Sequence, residues 1–147
     1  MNLSDPFGLS PDTLEYGDAD AERWVAEEEA KNPKAKLIFD KLRASPYRHV
    51  IFNADRTDCD ECPLAGWTVD TEAEQGGAWQ RAHFPGARTV TSIRPSHPDA
   101  RKDGVGTVVW HEGIHAVGVP EIGRKYRHGS GRNCDSAFIG VPRGCSP

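Results

Sequence analysis

One stretch constrains this chain more than any other: Trp110-His111-Glu112-Gly113-Ile114-His115-Ala116-Val117-Gly118-Val119-Pro120-Glu121. Residues four apart on an α-helix lie above one another on the same face. His111 and His115 therefore direct two imidazoles at one point if the stretch is helical. The lead-in, Val105, Val108, Val109 and Trp110, is apolar, and Gly113 and Ile114 between the histidines carry no charge. That pattern predicts a buried helix over about 106–118 with a single polar stripe. A buried polar stripe needs partners, and a metal ion supplies them. Gly113 costs about 1 kcal/mol against Ala inside a helix, so its presence predicts close packing beside the site. Gly118 can end the helix in the left-handed conformation and Pro120 prevents it from resuming.

Glu112 follows the first histidine directly, close enough to a metal to take a proton from a water that zinc has acidified. His111-Glu112-x-x-His115 resembles the H-E-x-x-H signature of zincin metallopeptidases, and the following Gly118 and Glu121 resemble the extended pattern H-E-x-x-H-x-x-G-x-x-H with Glu in the last place. The resemblance covers about eleven residues. It implies Zn²⁺ held by His111, His115 and a third ligand, with Glu112 as general base. Catalytic zinc usually keeps three protein ligands and one open position, and a carboxylate is an acceptable ligand. Glu121 is therefore favoured, with His128 and Asp135 as rivals. The extended pattern is followed by a methionine turn, and the only Met of this chain is Met1. Beyond Glu121 a basic segment, Arg124 to Arg132, reads as solvated loop, with Tyr126 the residue to consider for the oxyanion that forms on attack.

Composition narrows the alternatives. The formal net charge is −4 and no dense basic run occurs, which argues against a nucleic-acid partner held through phosphates. No apolar run approaches the length of a membrane span, and Met1-Asn2-Leu3-Ser4-Asp5 has neither the basic nor the apolar region of a signal peptide. The cysteines are Cys59, Cys62, Cys134 and Cys145. Three readings stay open for them: disulfides, a structural zinc knuckle tying the middle of the chain to its end, or free thiols. Asp58, Asp60 and Glu61 around the C-x-x-C pair would raise a thiol pKa, which disfavours a redox-active motif.

Along the chain, acids early and Asn32-Pro33 late predict a helix over 19–31, and Leu37, Ile38, Phe39 and Leu42 a second over 35–44. Strands are predicted over 47–53, 66–70, 78–84 and 88–94, with 95–106 a polar loop and 137–140 an edge strand. In zincins a strand beside the cleft pairs with peptide substrate; 88–94 or 78–84 is expected to take that part by analogy with the fold. At the N-terminus, Asp5-Pro6-Phe7-Gly8-Leu9 resembles the D-P-x-G-L motif that closes the core of Rhs repeat proteins. That resemblance implies self-cleavage between Leu9 and Ser10, residues 1–9 as the remnant of the Rhs core, and 10–147 as a toxin domain. It also implies delivery into a target cell by a specialised secretion system, a protein substrate there, contact with the Rhs shell, and a cognate immunity protein.

The expectation is an α+β, zincin-like fold: N-terminal helices, a small mostly antiparallel sheet, and an active-site helix carrying H-E-x-x-H. The expected function is zinc-dependent peptide hydrolysis by a secreted effector. Two alternatives belong to other classes. One is a metal-dependent hydrolase acting on nucleic acid or a nucleotide, although the deaminase pattern is absent. The other is a non-enzymatic binding module in which His111, His115 and the cysteines hold structural metal.

Overall fold

The computed structural model describes residues 12–128. The Asp5–Leu9 motif, the Leu9–Ser10 junction, Cys134, Asp135, Cys145 and the expected 137–140 strand lie outside them. The described residues form an α+β fold in the order β1 (Leu14–Tyr16), α1 (Ala19–Lys31), α2 (Pro33–Arg43), β2 (His49–Asn53), β3 (Gly66–Asp70), α3 (Ala78–His83), β4 (Thr89–Ile93), α4 (Pro98–Asp103) and α5 (Val105–Ile122).

The first two helices form because their ends are capped by neighbours in sequence. Asp18 accepts from the Ala21 N–H and opens α1. Asn32 closes α1 and opens α2, its Oδ1 accepting from the Lys34 N–H, with Pro33 at the first helical position. Asp18 also accepts from the Asn53 N–H at 2.7 Å through its second oxygen, which ties the start of α1 to the end of β2.

The sheet runs β1-β2-β4-β3. It is mixed, not mostly antiparallel as expected: β1 and β4 are both parallel to β2, and only β3, at the edge, runs antiparallel to β4. The cause is topological. The α1–α2 pair between β1 and β2 is a crossover, which returns the chain in the same direction, and α3 between β3 and β4 helps turn the chain back. Both faces are covered. Ile51 and Ile93 face α1, α2 and α5, whereas Val50, Phe52 and Val90 face Trp79, Phe84 and the buried Cys59–Cys62 pair. The period of two along β2 thus splits its residues between two apolar clusters.

Three other expectations change. Residues 78–83 are helix, not strand. The segment 78–84 reads as a strand in the sequence, but Glu61 accepts from the Gly77 and Trp79 N–H groups and caps a helix from a distant point in sequence. The expected 95–106 loop contains α4, with Pro98 in its first turn and the His97 ring accepting from the Asp99 N–H. Helix α5 runs past Gly118 and Pro120 to Ile122. Gly123, at φ 78°, takes the left-handed conformation and donates to Val119 O. Cys59 and Cys62 are joined to each other in a disulfide, so this pair is not half of a zinc knuckle.

Candidate metal centre

Helix α5 packs its N-terminal half against β3 and its middle against α2. Gly113 makes the second contact possible: a Cβ there would stand 3.1 Å from Ile38 and 3.2 Å from Phe39. The close packing expected from this glycine is therefore present. Gly66 makes the first. A Cβ on Gly66 would lie 2.7 Å from both Val108 Cγ1 and Glu112 Cγ, closer than real side chains approach. The strand and the Glu112 side chain touch only because Gly66 has none.

His111 and His115 do project from α5 toward one point, as the spacing requires. Their Nε2 atoms are 3.3 Å apart, and each is 3.0 Å from Nε2 of His128. Among the described residues these three histidines form the group that could hold a metal ion. Four ligands placed tetrahedrally at zinc–imidazole distance are separated by about 3.3 Å, so the observed spacings suit a single cation. Electrostatics argue the same way. His115 Nδ1 lies 2.6 Å from the carbonyl of Tyr126. A carbonyl only accepts, so Nδ1 carries the proton and Nε2 of the neutral ring presents a bare lone pair. Burial holds that ring neutral, lowering its pKa to about 4, and desolvation lowers the His128 pKa as well. The bare Nε2 of His115 thus faces two further imidazole nitrogens, a donor set that a cation would accept.

The loop that delivers His128 is set by Gly118. A Cβ on Gly118 would stand 2.2 Å from Tyr126 N and 2.5 Å from Arg124 O, so any side chain would push the loop off the helix. With glycine there, Tyr126 N donates to His115 O at 3.0 Å while Tyr126 O accepts from the same residue's ring. The residue expected to end the helix instead lets the chain fold back along it.

Glu112 is 5 % exposed and lies beside the histidines, Oε2 3.7 Å from His111 Nε2. Thr68 Oγ1 lies 2.9 Å from Glu112 Oε1, 3.2 Å from Glu112 O and 3.0 Å from Thr91 Oγ1. One hydroxyl has one proton. With Thr68 donating to the carboxylate, Thr91 donates to Thr68, and the carboxylate is anchored through two sheet residues that pair in register. Burial raises the Glu112 carboxyl to about 7, against the lowering effects of Thr68 and Lys125. A cation at the histidines would bring it down.

The remaining expected residues lie elsewhere. Glu121 does not join the histidines: its carboxylate pairs with Lys41 Nζ of α2 at 3.0 Å, because the helix continues through Pro120 and carries it to that face. His128, named as a rival, stands in the third position. Tyr126 is 4 % exposed, packs with the core beneath α5 and is among the residues lining the cleft beside the histidines, and its backbone carbonyl accepts from His115 Nδ1. The expected substrate-facing strands are also displaced: 78–83 is α3 and β4 is interior, so β3 is the edge strand beside the cleft. Sequence reasoning did not single out Thr68, Thr91 or Gly66. No local signal marks them; their roles follow from sheet register and from the approach of α5.

Glu112, His115 and His128 line a cleft of about 360 Å³ together with Trp67 and Thr68 of β3 and Lys125 and Arg127, and His111 lines an adjoining compartment of about 220 Å³ that shares Glu112 and His128. Lys125 Nζ donates to Thr68 O at 2.7 Å and pairs with Glu74 at 2.6 Å, which joins loop to strand. No protein-family model, curated protein or solved structure matches the chain.

Proposed function

We propose that the protein is a zinc-dependent peptidase with a zincin-like fold. The observation that carries this reading is the convergence of three imidazole Nε2 atoms, 3.0–3.3 Å apart, beside a buried carboxylate in an open cleft. His111, His115 and His128 would hold the metal. Three ligands converge there among the described residues, which favours a site with an open position over a closed structural one. A cleft walled by the start of the edge strand β3, where Gly66 and Trp67 are half-buried, suits an extended peptide.

When bound, zinc would polarise the scissile carbonyl and acidify the attacking water. The residues of the chain divide the other tasks. His115, held in one tautomer by Tyr126 O, keeps its Nε2 free to ligate. Glu112 carries the proton. Its Oε1 is engaged by Thr68, so Oε2, turned toward His111, accepts the proton from water and passes it to the leaving amine. Val108, Ile114 and the neighbouring core hold the helix rigid behind these groups.

The biological role follows from the resemblance of Asp5–Leu9 to the Rhs closing motif. On that reading the domain is a secreted effector toxin, released after Leu9, delivered into a target cell to cut a protein there, and masked in the producer by an immunity protein. The test of the activity is digestion of a mixed peptide library by the zinc-loaded protein, with cut sites read by mass spectrometry. Cleavage by wild type but not by Glu112→Gln is expected. Equal cleavage by both would overturn the mechanism.

A further inference from the structure

Cys59 and Cys62 close a disulfide in the loop between β2 and β3, and contacts from β4 and α3 converge on that loop. Arg94, which follows β4, donates through its side chain to Cys62 O at 2.6 Å and to Cys59 O at 3.3 Å. Its backbone N–H donates to Ala65 O at 2.8 Å. One residue thus grips both the disulfide loop and the entry to β3. On the other side the Glu61 carboxylate, between the two cysteines, accepts from the Gly77 and Trp79 N–H groups and holds the start of α3. The chain then runs from Cys62 through Pro63, Leu64 and Ala65 to Gly66, the glycine against which Glu112 packs. Leu64, Ala65 and Gly66 line the smaller compartment with His111, Glu112 and His128. The disulfide and the candidate centre are therefore joined by a short, tightly held piece of chain.

We propose that this disulfide is a redox switch: a dithiol reductant opens it, and the opening resets the entry of β3 and with it the seat of Glu112. A disulfide stabilises a fold mainly through the length of loop it closes, and this one joins cysteines only three apart in sequence. Breaking it changes local geometry and leaves the rest of the fold standing. The surroundings already suit the open form. Gln80 is fully buried; its Nε2 donates to Glu61 O at 3.0 Å and lies 3.4 Å from Cys62 Sγ, yet its Oε1 has no hydrogen-bond partner. A disulfide sulfur can only accept, whereas a thiol released beside this amide brings an S–H donor. The acidic neighbours Asp58, Asp60 and Glu61 favour that thiol over a thiolate, so the pair is a switch and not a catalytic dithiol. In the step, a thiolate of the reductant attacks Cys59, the more exposed of the two at 6 % against 1 %. The Cys59–Cys62 bond breaks, and Cys62 leaves with the electron pair and takes a proton. The second thiol of the reductant displaces Cys59 from the mixed disulfide. Two electrons pass to the protein, the two thiol protons of the reductant end on the cysteines, and the reductant is left as a cyclic disulfide.

The first readout needs no turnover. Amide chemical shifts of zinc-free wild type are followed in mixtures of reduced and oxidised dithiothreitol, with the state of each cysteine read by alkylation and mass spectrometry. Opening of Cys59–Cys62 should move Gly77, Trp79 and Gln80 and also Ala65, Gly66 and Glu112, leave α2 in place, and reverse on reoxidation. The same shifts are expected in Cys134→Ser combined with Cys145→Ser; their absence there would assign the effect to the other cysteines and overturn the inference. Shifts confined to 58–63 and α3 would also overturn it, as would global unfolding on reduction or a bond that survives full reducing conditions in the folded protein. The second readout rests on the peptidase reading. Zinc-loaded Cys59→Ser combined with Cys62→Ser, which needs no reductant, should keep its zinc and cut peptide about tenfold more slowly through the displaced Glu112. If that variant does not fold, the wild-type shifts decide alone. Cleavage that depends on Glu112 but is equal in wild type and the serine variant would overturn the switch and leave the peptidase standing. Shifts that reach Glu112 in a protein that cleaves no peptide would support the switch and sink the peptidase reading alone.

Discussion

Two buried histidines lie in different parts of the molecule, His49 in β2 and His115 in α5, and their titration looks alike. Burial holds each neutral and lowers its pKa to about 4. Their surroundings differ. Both ring nitrogens of His49 meet hydroxyls, Thr89 Oγ1 at 2.6 Å and Ser45 Oγ at 2.8 Å, so each donor and acceptor is satisfied within the protein. At His115 only Nδ1 meets a protein group suited to it; Nε2 faces two other imidazole nitrogens. Depth and a shifted pKa therefore do not mark a functional histidine. The partner set separates them: hydroxyls, which can rotate to suit a ring, at both nitrogens of His49, against two further imidazole nitrogens at Nε2 of His115, the kind of donor set that a metal ion takes. His49 reads as a core residue, and His115 as a proposed metal ligand.

The sharpest way to press this contrast is to act on each region separately. Glu112→Gln keeps the shape of the side chain and removes its base. Peptide turnover should fall by about 10²–10⁴-fold while zinc content stays unchanged. Zinc loss in that variant would mean that Glu112 holds metal instead of moving protons. Gly118→Ala should come next. Its new methyl displaces the loop that presents Tyr126 O and His128, and zinc affinity should drop by roughly 10–100-fold, measured by competition with a chelator. Gly66→Ala should leave zinc in place and lower turnover by roughly tenfold, since the methyl collides with Glu112 and not with the histidines. Full activity in Gly66→Ala would show that the strand yields and that this contact positions nothing.

His49→Asn is the smallest and most diagnostic change. It should leave zinc binding and activity intact and cost roughly 1–3 kcal/mol of stability through the orphaned Ser45 hydroxyl and lost packing. It should also alter the pH profile. A histidine with a depressed folded pKa contributes stability that is present above its ordinary value of 6.5 and is lost as pH falls toward 4. Zinc-free wild type should lose stability across that window through both His49 and His115, and His49→Asn should lose less, as read from urea midpoints at pH 7.5 and pH 5. Glu112 works in the other direction: its raised carboxyl means stability present below about 4.5 and lost as pH rises through about 7 in the zinc-free protein.

What the sequence disclosed is what local periodicity controls. The helical spacing of His111 and His115, the stop at Asn32-Pro33, the apolar stripe of α2 and the strands β2, β3 and β4 are all written within a few neighbours. The third histidine was not settled that way. The expectation that Gly118 would stop α5 pointed to Glu121, yet Gly118 instead lets a returning loop pass and Gly123 ends the helix. Nothing local distinguishes a glycine needed for its backbone angle from one needed for space. Helix α3 escaped for a related reason, since its cap is Glu61, sixteen residues before Gly77. Thr68 and Thr91 acquired their places beside Glu112 through strand register, and the direction of three of four strands was set by crossovers whose course no residue pattern states.

Zinc stoichiometry tests the central claim most directly, by elemental analysis of wild type, His128→Ala and Glu121→Ala purified without chelator. The arrangement of the three histidines predicts about one zinc per chain in wild type and in Glu121→Ala, and its loss in His128→Ala. Zinc that persists in His128→Ala, or that disappears in Glu121→Ala, would contradict it.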